Sequence, residues 1–203
     1  MSVPPVPGQP DPELDGMLLL PMPPTDGFTA DDLDRLPGLP RYTELIDGSL
    51  VLRRPQGRWH SAVKTLLSRQ MDAQIPGDLY VYREFTVRLG ERQRPEPDLM
   101  LVRGDGRTGP DSTWIGPEPV LLVVEVVTPE SEIRDRERKP RIYAQAGVPH
   151  LWRVEREENR TIAVHVYALD PVTRCYMSAG VSRGRLRVDA PCPLDIDLTR
   201  PER

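Results

Sequence analysis

Several residue types whose abundance marks a class of protein are scarce in this sequence. Its two cysteines, Cys175 and Cys192, fit no metal-ligand spacing, so we interpret them as core thiols, with a disulfide as the alternative. No apolar stretch approaches the roughly 20 residues of a membrane span. The short apolar run at 17–20 follows acidic rather than basic residues, unlike a signal peptide. The sequence therefore predicts a cytoplasmic protein with no membrane segment.

Lysine is also rare, and the chain carries a net charge of −4. Among the 27 Lys and Arg residues, only Lys64 and Lys139 are lysine. An acidic balance argues against a protein that holds nucleic acid on a broad basic face, although a local basic groove stays open. The sequence also lacks a glycine-rich phosphate loop, a G-x-S-x-G elbow and an H-E-x-x-H motif. These absences remove support for the enzyme classes that the motifs mark.

Proline is concentrated at the N terminus, where residues 1–25 contain eight of the 24 prolines and few large apolar side chains. Such a segment cannot bury enough apolar surface to offset the loss of chain entropy on folding. We therefore interpret residues 1–25 as a disordered or polyproline segment. The remaining residues, 26–203, have a length that supports one folded domain.

The hydrophobic pattern of residues 26–203 changes between helical and strand periods. Asp47-Gly48 between two apolar runs is a strong signal for a two-residue hairpin turn. The predicted helices cover 30–36, 59–71 and 131–146, and the predicted strands cover 42–46, 49–52, 79–89, 97–103, 119–127, 150–155, 161–168, 173–178 and 185–189, with a polar loop at 104–118. This order predicts an α/β (α+β) domain: a mixed central sheet flanked by helices, with an N-terminal β-hairpin and extra C-terminal strands.

Glu125 is a single carboxylate near the end of the apolar run 119–127, which is typical of a strand covered on both faces. A charge in such a place is costly unless it is paired or bound to a cation. A second acid, Asp98, lies at the start of the apolar run 97–102. If the two strands are adjacent, these carboxylates supply oxygen ligands of the kind that Mg²⁺ prefers. The alternative for each acid is an ion pair with a nearby arginine.

Asp135, Lys139 and Tyr143 are spaced by four residues, which places them on one face of a continuous helix. A lysine ammonium is a compact charge on a flexible stem and can reach a water or a phosphate. The alternative is a solvated, charged helix. Pro140 disfavours a normal helix interior at this point. The segment therefore either kinks there or starts a second helix with Pro140 in its first turn.

His60 and Glu44 are weaker candidates. His60 precedes the helical pattern at 61–71 and could bind a metal or carry a proton, but a lone histidine is more often a capping or packing residue. Glu44 lies on a half-buried strand before the hairpin turn, where its side chain points either to a site or to solvent.

Five motifs in sequence order resemble the Uma-two family of bacterial proteins, which is similar to the PD-(D/E)XK nuclease superfamily. The resemblance covers about residues 28–155 and is carried by Y-T-E-L-I-D-G at 42–48, P-E-P-D at 95–98, V-V-E-V-V-T-P at 123–129, Asp135 with Lys139, and Y-A-Q-A-G-V-P-H-L-W at 143–152. It implies a restriction-endonuclease-like fold in which Asp98, Glu125 and a lysine are catalytic. In the wider superfamily that lysine stands two residues after the second acid, where this chain has Val127. The resemblance implies that Lys139 takes its place.

The same resemblance implies a metal site. Asp98, Glu125 and the backbone carbonyl of Val126 would hold Mg²⁺ or Mn²⁺. Glu44 matches an early acid near the metal, and His60 matches a recurrent histidine of the first long helix. The additional site candidates are Glu44, His60, Asp135 and Tyr143.

The sequence therefore predicts a metal-dependent endonuclease that hydrolyses phosphodiester bonds of nucleic acid. DNA is the expected substrate, and a homodimer is a candidate assembly. The alternative is a nuclease-like module that has lost catalysis and binds nucleic acid or protein. The presence of both acids and the lysine favours the enzyme, whereas the acidic net charge favours the module.

Overall fold

The computed structural model of the protein describes residues 21–104, 109, 111–158 and 160–199. Its α-helices are α1 (Asp32–Arg35), α2 (Arg58–Asp72) and α3 (Lys139–Ala146). Its strands are β1 (Thr43–Ile46), β2 (Ser49–Leu52), β3 (Leu79–Arg83), β4 (Thr86–Val87), β5 (Leu99–Arg103), β6 (Trp114–Ile115), β7 (Val120–Val126), β8 (His150–Arg156), β9 (Ile162–Asp170), β10 (Cys175–Arg183), β11 (Arg185–Val188) and β12 (Leu194–Asp197). Residues 1–20 of the segment interpreted as disordered lie outside the described residues, so its disorder stays a prediction.

Six strands form the central sheet in the order β10-β9-β8-β7-β5-β3. Neighbouring strands are antiparallel except β7 and β8, which pair in parallel. Parallel neighbours need a crossover connection, and α3 lies within the connection here. The predicted mixed central sheet is therefore confirmed. The strands that bring Asp98 and Glu125 to the sheet, β5 and β7, are adjacent.

Both faces of the sheet are covered, which explains why β5 and β7 are apolar along nearly their whole length. Leu99 and Leu101 belong to the core shared with Leu67 of α2. Met100 belongs to the opposite core, which it shares with Tyr143 of α3. A slip of one residue would exchange the two faces, so this alternation fixes the register between β5 and β7.

The turn Asp47-Gly48 confirms the predicted hairpin between β1 and β2. Both residues have positive φ, 54° and 75°, as a type I′ turn requires. β1 is buried throughout, with Leu45 in a small separate core beside α1. The Leu45 N–H also donates a 3.0 Å hydrogen bond to the Arg94 carbonyl. Because β1 is enclosed on both faces, Glu44 is turned into the protein.

Two predictions about strands are wrong. The predicted strand 79–89 is interrupted at Glu84, whose φ is 47°, a backbone conformation that an alternating apolar pattern does not reveal. The second part, β4, lies outside the central sheet and pairs in parallel with β6. β6 itself lies inside the stretch 104–118, which we predicted to be a loop. β12, which pairs with β11, was not predicted.

The two cysteines are both free, so the disulfide alternative is wrong. Cys192 is buried, as predicted for a core thiol. The same prediction is wrong for Cys175, which is exposed because it begins β10, the edge strand whose side chains are mostly exposed. Within the part of the chain that the structure describes, no helix is both long and apolar enough to cross a membrane.

The predicted helix 131–146 consists of two segments. A π-helical turn covers Arg134–Arg138, and α3 begins at Lys139 with Pro140 in its first turn. Proline is tolerated there because N–H groups of the first turn have no partner within the helix. The structure therefore has the second helix with Pro140 in its first turn, rather than a kink within one helix. π-Helical turns are frequent at functional sites, and this one lies directly before Lys139.

Gly147 ends α3 in the left-handed conformation, with φ 84°. A Cβ atom at this position would also lie 3.1 Å from Arg174 Nη1. We expect Gly147→Ala to lower the free energy of unfolding by about 1 kcal/mol in urea denaturation. Gly77→Ala is the matched control, because an added Cβ there meets no atom within 4 Å, and it should change stability by less than about 0.5 kcal/mol. Equal losses in both variants would contradict this account.

Candidate metal centre

Five buried carboxylates come from four parts of the chain. Glu44 lies on β1, Glu96 and Asp98 precede β5, Glu125 lies on β7, and Asp135 lies in the π-helical turn. None of the five residues is more than 6% exposed. We call these five residues the acidic cluster. Burying a carboxylate is costly unless it is paired, so the contacts of each one are informative.

Asp98 is the residue directly before β5. Its Oδ2 accepts a 2.7 Å hydrogen bond from the backbone N–H of Val126. Its Oδ1 accepts a 2.8 Å hydrogen bond from the Arg53 guanidinium and lies 3.1 Å from His60 Nε2. Burial would raise the pKa of Asp98, but His60 and Arg53 hold it well below its ordinary value. The carboxylate is therefore ionised at neutral pH and is held by contacts with Val126, Arg53 and His60.

Glu125 faces Asp98 across the same pair of strands. Leu99 is opposite Val124 in the antiparallel register, so the next facing positions are Asp98 and Glu125. In a regular ladder, the Cβ atoms of facing residues are roughly 4.5–5.5 Å apart. The two acids are therefore neighbours, as expected for acids on adjacent strands.

Lys139 and Tyr143, both on α3, contact Glu125. The Lys139 ammonium donates to Oε2 at 3.2 Å, and the Tyr143 hydroxyl donates to Oε1 at 2.5 Å. Burial raises the pKa of Glu125 above its ordinary value against the opposing charge of Lys139, and Asp135 and Asp98 add to the rise. Burial also raises the pKa of Tyr143 well above its ordinary value. The Tyr143 hydroxyl therefore keeps its proton at neutral pH and donates a hydrogen bond to Glu125.

Lys139 is the central cation of the acidic cluster. Its Nζ lies 2.7 Å from Glu44 Oε1, 3.1 Å from Glu125 Oε1 and 3.6 Å from Asp135 Oδ1. Burial would lower the pKa of Lys139, but Glu125, Glu44 and Asp135 together raise it above its ordinary value. The ammonium group is therefore charged at neutral pH. The Glu44 side chain points to the site, which answers the question that the sequence left open.

The five carboxylates of the acidic cluster outnumber the cationic side chains that contact them. Among the described residues, the cationic side chains that contact it are Arg53, Lys139 and Arg134. Glu44 Oε2 and Asp135 Oδ1 are buried without a hydrogen-bond partner in the described part of the chain. Burial raises the pKa of Glu96 to about 7 and also raises that of Asp135. These are the shifts expected of carboxylates whose charge is incompletely compensated.

The residues of the acidic cluster fit a hard divalent cation by their chemistry. Carboxylate oxygens are the ligands that Mg²⁺ and Mn²⁺ prefer, and the uncompensated charge is negative. Among the described residues, no group of three His, Cys, Asp or Glu side chains has the arrangement that would hold a metal ion. Arg53 and Lys139 instead contact Asp98 and Glu125 directly. A metal at Asp98 would have to compete with the Arg53 guanidinium for Oδ1.

A cleft of about 600 Å³ lies beside the acidic cluster. His60, which contacts Asp98, lines the cleft together with Val127, the residue directly after β7. The remaining lining comes from residues 54–57 before α2, residue 59 within it, residues 128–130 and 132, and residues 136, 155 and 156. The cleft therefore connects solvent to the end of β7, next to the two facing acids.

Every side chain that the sequence analysis named for the site lies in or against the acidic cluster: Glu44, His60, Asp98, Glu125, Asp135, Lys139 and Tyr143. Val126 contributes its N–H, and the role of its carbonyl stays a prediction. Sequence reasoning missed Arg53, Glu96 and Arg134. Glu96 lies within the P-E-P-D motif and could have been found there. Arg53 carried no signal, because arginine is the usual cation of this chain.

A six-stranded mixed sheet with helices on its faces, and with acids at the ends of two adjacent central strands, defines a nuclease-like α/β fold. The chain belongs to the Uma2 family, described as "Putative restriction endonuclease", which matches residues 30–199. This is the Uma-two family that the sequence motifs resemble. The fold is similar to the crystal structure of "a putative nuclease belonging to DUF820" from Anabaena variabilis, with a TM-score of 0.62 and 16% sequence identity, over 81% of this chain and 89% of that chain. No curated protein sequence matches this chain.

The two lysines allow a matched test of the buried charge. We expect Lys139→Met to lower the free energy of unfolding at pH 7 by about 3–5 kcal/mol, because it leaves Glu125 and Glu44 buried without their cation. Lys64→Met is the control, since Lys64 pairs with the partly exposed Glu84, where an ion pair contributes at most about 1 kcal/mol. Urea denaturation measures both changes. Losses of the same size would show that Lys139 is not the central cation.

Proposed function

We propose that this protein is a metal-dependent endonuclease that hydrolyses phosphodiester bonds of nucleic acid, with DNA as the expected substrate. Membership of the family described as "Putative restriction endonuclease" supports the reaction class. The observation that carries the proposal is that Asp98, Glu125 and Lys139 converge in one buried acidic cluster beside an open cleft. Nucleases that cut both strands of a duplex commonly work as dimers, so a homodimer is the assembly that we expect. A nucleic-acid substrate is in keeping with the cytoplasmic location predicted from the sequence.

Asp98 and Glu125 would hold Mg²⁺ or Mn²⁺, together with the Val126 carbonyl. A bound ion of this kind polarises a phosphoryl oxygen and lowers the pKa of its water. Asp98 suits this role because its low pKa keeps it ionised. Tyr143 orients the Glu125 carboxylate through its 2.5 Å hydrogen bond. The Val126 N–H fixes the other acid by holding Asp98 Oδ2.

Lys139 supplies a fixed positive charge rather than a base. Because its pKa is raised, the ammonium group does not accept a proton from the attacking water. It can donate a hydrogen bond to that water or to a phosphate oxygen, and it stabilises the negative charge that develops in the transition state. Its contacts with Glu125 and Glu44 hold the ammonium group in place for this role.

One observation favours the second candidate function, a nuclease-like module without catalysis. Arg53 donates to Asp98 at 2.8 Å, so a guanidinium already neutralises one of the two proposed ligands. A protein that had lost its metal would gain stability from such a pair. Catalysis and metal binding separate the two candidates, and each can be measured directly.

For catalysis, we expect cleavage of plasmid or single-stranded DNA that depends on Mg²⁺ or Mn²⁺ and stops in EDTA. Asp98→Asn, Glu125→Gln and Lys139→Met should each lower the rate constant by roughly 100-fold or more. Asp72→Asn is the control, because Asp72 forms an exposed pair with Arg83 and should cleave normally. Cleavage that survives in Asp98→Asn would place the activity elsewhere.

For metal binding, we expect Mg²⁺ or Mn²⁺ to raise the melting temperature, because an ion that binds the folded state stabilises it by mass action. At a hundredfold excess over the dissociation constant, the rise should be roughly 5–10 °C for a chain of this size. Differential scanning calorimetry of the wild type and of Glu125→Gln measures it, and the variant should lose most of the shift. An unchanged melting temperature at millimolar Mg²⁺ and Mn²⁺ would favour the module without catalysis.

A further inference from the structure

We propose that the cleft beside the acidic cluster binds one unpaired nucleotide, with its base stacked on Trp59 and its flanking phosphates on Arg54 and Arg156. This inference rests on the proposed function and names its substrate class, which is single-stranded or locally unpaired nucleic acid. A volume of about 600 Å³ falls within the usual range of small-molecule sites. An aromatic ring and two guanidinium groups in its lining match the chemistry of a nucleotide.

Trp59 provides a flat apolar surface at the cleft. It lies in the first turn of α2 and packs in part against the main core. The Arg156 guanidinium lies 6.0 Å from the centre of its ring. Indole rings and guanidinium planes both stack on nucleobases. Such a pair can also be ordinary surface packing, as with Trp114 and Arg88, 5.2 Å apart. The difference is that Trp59 lines a cleft and Trp114 does not line this cleft.

The free positive charge in the cleft is small but suitably placed. Arg54 and Arg156 are exposed and make no ion pair with another described residue. The third arginine of the lining, Arg136, is already paired with two of the three lining glutamates. Glu130 is the remaining acid and offsets part of the charge. Two guanidinium groups can hold about two phosphates, so stacking must contribute much of the binding energy.

The position of the cleft links a stacked base to the acidic cluster. Trp59 is followed by His60, whose imidazole contacts Asp98 at 3.1 Å. A base on Trp59 would therefore bring an adjoining phosphodiester group towards Asp98 and the end of β7. Within a duplex, each base is covered by its neighbours and cannot offer its face to a protein ring. Stacking at this position therefore selects a strand that is unpaired there.

The first test measures binding without catalysis, in EDTA. The probe is a fluorescein-labelled 12-nucleotide deoxyribo-oligomer, and fluorescence anisotropy gives its affinity for the full chain. We expect tighter binding of the single strand than of a duplex of the same sequence. An oligomer of 12 abasic units keeps the phosphates and lacks the bases, so it should also bind more weakly. Equal affinity for the three ligands would overturn the proposal.

Variants at the ring test the stacking contact. Trp59→Leu keeps apolar packing and should weaken single-strand binding by roughly 5- to 150-fold, the effect of losing one base–aromatic stack. Trp59→Tyr keeps a stacking ring and should retain most of the affinity. Trp114→Leu removes the matched ring outside the cleft and should bind like the wild type. A loss in Trp59→Tyr as large as in Trp59→Leu, or an equal loss in Trp114→Leu, would overturn the proposal.

A salt titration tests the phosphate contact with a variant that leaves Trp59 unchanged. For single strands, each phosphate contact contributes about 0.7 to the slope of log affinity against log salt concentration. Arg156→Ala, a change at an exposed position, should reduce the slope by about that amount. An unchanged slope would remove Arg156 from the binding site.

Cleavage assays separate the failure of this inference from the failure of the proposed function. If Trp59→Leu cuts single strands and duplexes at wild-type rates, the nucleotide site is wrong and the nuclease stands. If no cleavage occurs while the single strand still binds through Trp59 in EDTA, the nucleotide site stands and the hydrolysis is wrong.

Discussion

The contact of one lysine ammonium with three buried carboxylates is the interaction on which the rest of the site depends. Carboxylates in a dry core are untenable without cations, and Lys139 reaches acids on the hairpin, the sheet and the π-helical turn at once. A flexible stem with a compact charge suits such a central position better than a planar guanidinium does. Lys139 therefore ties together elements that are distant in sequence. The same contacts keep its pKa high and fix its chemistry as that of a cation.

The local backbone explains how Lys139 reaches the acidic cluster from the start of α3. Pro140 is accommodated because α3 starts anew at Lys139 after the π-helical turn. Val127, the residue directly after β7, lines the cleft. The ammonium of Lys139 instead approaches Glu125 from the α3 face, where it is buried. The positive charge is thus buried in contact with the acids and is not part of the cleft lining.

The charge balance of the site reconciles a nuclease-like fold with an acidic protein. The chain has a net charge of −4, and its cleft is lined by equal numbers of arginine and glutamate. Such a surface cannot bind nucleic acid through a broad basic face. The excess of buried carboxylates would favour a divalent cation, and the same excess explains why Arg53 is drawn to Asp98 in this structure. A divalent metal ion and the Arg53 guanidinium are thus alternative cations that can neutralise Asp98.

The sequence by itself predicted the mixed sheet, the hairpin turn and the two acids Asp98 and Glu125, because these follow from the order of helical and strand patterns, the Asp-Gly pair and lone charges in apolar runs. It also placed Asp135, Lys139 and Tyr143 on a common side, although the helix is interrupted. It did not reveal the break at Glu84, the pairing of β4 with β6, or Arg53, since each depends on contacts between residues far apart in the chain. Only the tertiary structure decided that Glu44 points inward, that α3 starts at Lys139, and that the cleft opens beside Asp98. Burial and ion pairing are properties of the packed molecule, and no local pattern specifies which of 27 basic side chains will reach a given acid.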